Sequence, residues 1–163
     1  MAKESIDFRD ASNLFLRVAL WNVVAAVAFT VPVLIPRLAF PILLTQWGSI
    51  YMVLGYLAFL LFGVIGPVCW SVVYYMNGLL NYKTEYDKAL TLFHAITNVI
   101  SAYCVSTLLF IGGYIGARAV YEGESLVNVG VAMEVVEIPA GFFIGLAIIS
   151  TIVGLLNLKF VRT

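Results

Sequence analysis

The sequence predicts an all-α polytopic membrane protein, a bundle of four transmembrane helices. Of its 163 residues, 63% are hydrophobic and 11% are charged, whereas in soluble proteins about half are apolar and about a quarter are charged. The charged residues fall almost entirely outside four long apolar stretches. Each stretch reaches or exceeds the roughly 20 residues that a helix needs to cross the bilayer core, so we expect a single transmembrane domain in contact with lipid.

The first predicted span covers residues 14–35. The preceding residues 1–13 mix basic and acidic side chains, which is unlike the basic start of a cleaved signal peptide. We therefore expect this span to be kept as an anchor. Pro32 and Pro36 mark its end, because the residue before a proline is disfavoured in a helix.

The second predicted span covers residues 47–76 and has no charged side chain between Gly48 and Met76. Pro67 lies inside it and cannot donate a hydrogen bond to the carbonyl of Gly63. A kink is expected there. Because lipid offers no hydrogen-bond donor, a neighbouring group must satisfy the freed carbonyl.

The third and fourth spans are predicted at residues 89–117 and 138–158. Pro139 suits the first turn of the fourth helix. Between these spans, residues 118–137 combine charged residues with a valine-rich stretch. This segment is predicted to be a short strand pair or an interfacial segment, and periodicity does not decide between them.

Close helix packing is predicted where small residues let two backbones approach. The glycines at such positions are Gly55, Gly63, Gly66, Gly112, Gly116, Gly141 and Gly145. Four helices are too few to cover all of these faces within one chain. The pattern therefore indicates a partner, either other membrane subunits or further copies of the same chain.

An even number of spans places both termini on one side of a cell membrane. Seven basic residues fall on that side: Lys3, Arg9, Arg17, Lys83, Lys88, Lys159 and Arg162. Only Arg37 and Arg118 fall on the other side. Since loops rich in lysine and arginine stay in the cytoplasm, both termini are predicted to be cytoplasmic.

A candidate polar site lies in the third span, where His94, Asn98 and Ser101 share one helix face. The antiparallel second span brings Trp70 and Tyr74 to a similar depth. A histidine in this setting suits a proton relay, a single haem or metal ligand, or a contact to a quinone. The structural alternative is a histidine that bonds only to a carbonyl of a neighbouring helix, and the sequence leaves these alternatives open.

Several kinds of site are not supported by the sequence. With one histidine, a haem held by two histidines and a histidine-rich metal site are excluded. The two cysteines, Cys69 and Cys104, fall at different depths and are predicted to be free, buried thiols. We find no nucleophilic triad and no phosphate-binding loop, so we expect no catalytic site and no cofactor. The balanced net charge argues against a nucleic-acid partner.

One stretch resembles a known family. The segment GYLAFLLFGVIGPVCWSVVYYMNG, a charged loop, a third helix ending GGYIG and a fourth ending GLLNLKFVRT are similar in layout to part of the catalytic subunit of haem-copper oxidases. In that family a histidine near the start of the second helix ligates haem, whereas the matching region here holds Gln46 and Trp47. The resemblance implies a component of a respiratory chain or a related electron-transport complex without its own redox centre.

Taken together, these features predict a non-catalytic integral membrane subunit of a membrane complex, of respiratory or redox type by the resemblance. The alternative is a small oligomeric transporter or channel. In that case the kinked second span and the face of His94, Asn98 and Ser101 would line the path.

Overall fold

The structure, a computed structural model, describes residues 4–37, 39, 45–82 and 84–159. Its helices confirm the predicted all-α fold with four membrane-spanning helices. The segments long and apolar enough to cross a membrane are Phe8–Val31, Ile50–Leu80, Lys88–Tyr121 and Met133–Lys159. The chain is therefore an integral, multi-pass membrane protein.

The elements follow the chain in a simple order. They are β1 (Ser5–Asp7), α1 (Phe8–Leu34), α2 (Gln46–Ala58), a π-helical segment (Phe59–Ile65), α3 (Gly66–Leu80), β2 (Glu85–Asp87), α4 (Lys88–Tyr121) and α5 (Leu126–Lys159). The second span consists of α2, the π segment and α3. The first span begins earlier than predicted, since α1 starts at Phe8.

The largest correction concerns residues 118–137, which form neither a strand pair nor an interfacial segment. Helix α4 continues to Tyr121, and α5 begins at Leu126, so Pro139 lies inside α5 rather than in its first turn. The valine-rich stretch is helical because it packs on α4, where Val129 and Met133 are buried against Gly116. Tertiary packing thus overrides the preference of valine for strands.

A two-stranded antiparallel sheet, which the sequence analysis did not predict, joins the start of the chain to the segment before α4. Ile6 pairs with Tyr86, and the backbone N–H of Lys88 donates to the Glu4 carbonyl at 3.1 Å. The Lys88 ammonium lies 2.8 Å from the Glu4 carboxylate. This hydrogen bond lowers the pKa of Glu4, although the pair is exposed and contributes little to stability.

The same end of the bundle also receives the end of α5. Asp87 caps α4, because its carboxylate accepts from the backbone N–H groups of Ala89 and Leu90. Its own N–H donates to the side-chain oxygen of Asn157 at 3.2 Å. We call this the sheet end of the bundle: Ser5–Asp7, Glu85–Asp87 and the last turns of α5. The described chain therefore starts and finishes on one side.

The π-helical segment before Pro67, where the sequence predicts a kink, is held by a polar side chain of the first span. Pro67 lies in the first turn of α3, and the segment before α3 is π-helical. The amide nitrogen of Asn22 donates to the carbonyl of Gly63 at 2.6 Å, and the hydroxyl of Tyr103 donates to the oxygen of Asn22 at 3.0 Å. This confirms the prediction that a neighbouring group satisfies the carbonyl that Pro67 leaves free.

The second span packs on different helices before and after the π-helical segment. Before the π segment, α2 packs mainly on α4; after it, α3 packs mainly on α1. A glycine of the second span allows close packing at both contacts, against the backbone of α4 in one and against an aromatic ring of α1 in the other. A Cβ built at Gly55 would lie 2.9 Å from the Ser106 carbonyl oxygen, and one built at Gly78 would lie 2.5 Å from the Phe8 ring.

We predict that Asn22→Leu destabilises the protein by about 1–3 kcal/mol, because the buried Gly63 carbonyl and Tyr103 hydroxyl lose their partner. The measurement is the free energy of unfolding in mixed micelles with increasing sodium dodecyl sulfate. The control is Thr30→Val, which removes a hydroxyl that bonds only to the Val27 carbonyl of its own helix. Equal stability of the two variants would show that Asn22 does not hold the kink.

Candidate polar site within the bundle

His94 is completely buried and is surrounded by aromatic rings of two other helices, α1 and α3. The hydroxyl of Tyr74 in α3 lies 3.2 Å from its Nδ1 atom. The Trp70 ring stands perpendicular to the imidazole with 4.4 Å between centroids, and the Phe15 ring of α1 lies 4.7 Å away. The structure thus brings the predicted residues His94, Trp70 and Tyr74 into direct contact.

Helix α5 also packs against the site. A Cβ built at Gly154 would lie 2.4 Å from Cε1 of His94 and 2.8 Å from the Trp70 ring. One turn earlier, the Ser150 hydroxyl donates to the backbone carbonyl of His94 at 2.9 Å. The absence of a side chain at Gly154 is therefore what lets α5 lie against the imidazole.

A hydrogen-bond network connects the site to the sheet end. The amide nitrogen of Asn157 donates to the Thr91 hydroxyl at 2.9 Å and to the Tyr74 hydroxyl at 3.4 Å. The Tyr86 hydroxyl of β2 donates to the Tyr74 carbonyl at 3.1 Å. Burial raises the pKa of Tyr86, so this phenol keeps its proton at neutral pH. The sheet is thereby attached to the helix that holds His94's partner.

The other two predicted site residues do not bond to His94. Ser101 donates to the Thr97 carbonyl of its own helix at 2.7 Å. The Asn98 amide nitrogen lies beside Gly66, 3.9 Å from a Cβ built there. One alternative from the sequence was a hydrogen bond between the imidazole and a carbonyl of a neighbouring helix. In the structure the imidazole bonds to the Tyr74 hydroxyl instead.

Sequence reasoning missed Phe15, Gly154 and Asn157. The sequence did indicate Asn157, since it is the single amide in the fourth predicted span, and polar side chains inside a membrane usually have a partner or a function. Nothing in the sequence indicated Phe15 or Gly154. Phenylalanine and glycine are ordinary in such spans, and their role depends on which helix they meet.

Three buried side-chain atoms have no hydrogen-bond partner among the described residues: Nε2 of His94, Oδ1 of Asn98 and Oγ of Ser106. All three belong to α4. Buried polar groups are almost always paired in proteins. His94 and Asn98 are one turn apart on the same face of the helix.

The chain offers little to a metal ion. Within the described ranges, no group of three or more histidine, cysteine or acidic side chains is close enough to hold one. Cys69 and Cys104 are free, as predicted. The prediction that both are buried is wrong, since Cys69 is exposed and Cys104 is half-buried.

The packing glycines divide into two groups. Gly55, Gly112 and Gly116 lie against another helix: built Cβ atoms would lie 2.9 Å from Ser106, 2.8 Å from Val136 and 3.3 Å from Met133, respectively. Gly63 is near Ala102 at 3.5 Å, and Gly66 mainly meets a carbonyl of its own span. For Gly141 and Gly145 no described atom outside the local helix backbone comes within 4 Å, so these two do not pack inside the bundle.

At the site, the His94 imidazole forms one hydrogen bond, to the Tyr74 hydroxyl. Among the described residues, Nε2 of His94 and Oδ1 of Asn98 have no partner. Comparison of the chain with known protein families, with curated proteins and with solved structures gives no match.

We predict that Gly154→Ala destabilises the fold by about 1–3 kcal/mol, because its methyl group would overlap the imidazole and force a backbone shift. Gly145→Ala in the same helix is the matched control, since open space surrounds that position. It should be neutral or stabilising by up to about 1 kcal/mol, the usual gain from alanine in a helix. Unfolding in mixed micelles measures both, and equal effects would contradict the close contact of α5 with His94.

Proposed function

We propose that the chain is a non-catalytic integral membrane subunit of a membrane complex. The observation that carries the proposal is the contrast between two glycines of α4 and two glycines in the middle of α5. Gly112 and Gly116 face α5, whereas Gly141 and Gly145 have open space around them. Gly141 and Gly145 lie within the membrane-spanning part of α5.

The contrast matters because glycine destabilises a helix by about 0.5–1 kcal/mol relative to alanine. In α4 this cost is offset by close contact with α5. In α5 the described part of the chain provides no such contact at Gly141 or Gly145. A helix of another membrane protein, packed against these two glycines, would provide it.

A second candidate is a small oligomeric transporter or channel. The observation that favours it is the pair of unpartnered atoms on His94 and Asn98, since polar groups inside a membrane often mark a path for a substrate or proton. The respiratory or redox setting is proposed on the resemblance to haem-copper oxidases alone.

The test is purification of the tagged chain in a mild detergent, followed by native mass spectrometry. A different protein in fixed ratio supports the subunit proposal. Gly141→Leu should remain inserted in the membrane but lose that protein, because the added side chain separates the two helices. A homo-oligomer or a lone monomer would contradict the proposal.

Two further variants make this result specific. Val135→Leu enlarges an exposed side chain about 120° around α5 from Gly141 and should keep the partner. Gly112→Leu places a side chain against Val136 inside the bundle and should reduce folding itself. Loss of the partner in all three variants would mean that general instability, and not the surface of α5, is being measured.

We also propose that both termini are cytoplasmic, on the basis of the seven-to-two asymmetry of basic residues in the sequence. In a Cys69→Ser, Cys104→Ser background, a membrane-impermeant thiol reagent added outside the cell should label Ser125→Cys and not Thr84→Cys. Both positions are exposed and lie at opposite ends of α4. The reverse labelling pattern would overturn this orientation.

A further inference from the structure

We infer that a hydroxyl group binds between His94 and Asn98, where it accepts a hydrogen bond from Nε2–H of the imidazole and donates one to Oδ1 of the amide. Both atoms are buried and have no partner among the described residues. The inference goes beyond the proposed function, because it requires no second subunit.

The hydrogen bonds of Asn157 favour one of the two neutral tautomers of His94. Its side-chain oxygen accepts from the backbone N–H of Asp87 at 3.2 Å, and a backbone N–H can only donate. The Asn157 amide nitrogen is therefore the atom that faces Tyr74, 3.4 Å from the phenol oxygen. An amide nitrogen only donates: one hydrogen goes to the Thr91 hydroxyl at 2.9 Å, and the other is shared between the Tyr74 oxygen and the Asp87 carbonyl, each 3.4 Å away.

The phenol proton of Tyr74 is then free to point at Nδ1 of His94, 3.2 Å away. A neutral imidazole whose Nδ1 accepts a hydrogen bond carries its proton on Nε2. The unpartnered nitrogen is thus a donor, and the unpartnered oxygen of Asn98 is an acceptor.

The spacing of the two residues suits one bridging oxygen. Residues four apart on a helix have Cβ atoms about 5–6 Å apart on one face, so both side chains leave α4 on the same side. One oxygen that forms two hydrogen bonds of about 2.8 Å can serve both. The Asn98 amide nitrogen lies beside Gly66, 3.9 Å from a Cβ built there.

A contact of Nε2–H with the perpendicular Trp70 ring, 4.4 Å away between centroids, is the competing arrangement. It would satisfy the donor of His94 and leave the oxygen of Asn98 unpaired. A group that both accepts and donates satisfies the two together. Water and the alcohol group of a lipid share this chemistry.

Because His94 is the single histidine of the chain, labelling histidine with ¹⁵N gives one pair of ring-nitrogen signals in solid-state NMR. We expect a neutral ring protonated on Nε2, with a through-space cross-peak from Nε2–H to a hydroxyl proton. In nanodiscs of phosphatidylcholine alone, a cross-peak identifies water. A cross-peak that appears only when diacylglycerol is added identifies a lipid alcohol.

Asn98→Leu, which keeps the size of the side chain and removes the acceptor, should reduce this cross-peak at least several-fold without changing the tautomer. Ser101→Ala is the matched control, because that hydroxyl lies on the same face and already bonds to Thr97. A ring protonated on Nδ1, or an Nε2–H signal without a hydroxyl cross-peak in both membranes, would overturn the inference. These wild-type spectra decide it even if Asn98→Leu does not fold.

Discussion

A backbone carbonyl inside the hydrocarbon layer costs several kcal/mol when it has no donor, and Pro67 creates such a carbonyl at Gly63. Asn22 of the first span supplies the missing donor, and Tyr103 of the third span holds Asn22 in place. One amide therefore connects three of the four spans at the kink. The rest of the arrangement depends on it, because the second span changes partner at this point, from α4 to α1.

The change of partner explains how the polar site is assembled. Because α3 packs on α1, Phe15 stacks on Tyr74 and both rings lie against His94 of α4. The remaining side is closed by α5, which approaches at Gly154. The polar atoms are thus concentrated toward the sheet end, where Asn157 and Tyr86 connect helices that share few other polar contacts.

The two long helices α4 and α5 divide their close contacts between them. Toward the far end of the bundle, α4 supplies the small residues Gly112 and Gly116, and α5 supplies the larger Met133 and Val136. At the site the roles are reversed, since Gly154 of α5 meets the imidazole of α4. This pairing extends along most of both helices, which is why α5 begins well before the hydrophobic stretch that predicted it.

By itself, the sequence determined the number of spans, the helical class, the proline kink and its need for a donor. These follow from composition, length and the chemistry of single residues. It also placed His94 near Trp70 and Tyr74, because depth along antiparallel helices can be counted. Tertiary structure alone decided that Asn22 is the donor, that Tyr74 rather than a carbonyl meets His94, and that Gly141 and Gly145 face outward. Helical periodicity shows which residues share a face, but it does not show which neighbour that face meets, since this depends on the rotation and crossing of whole helices.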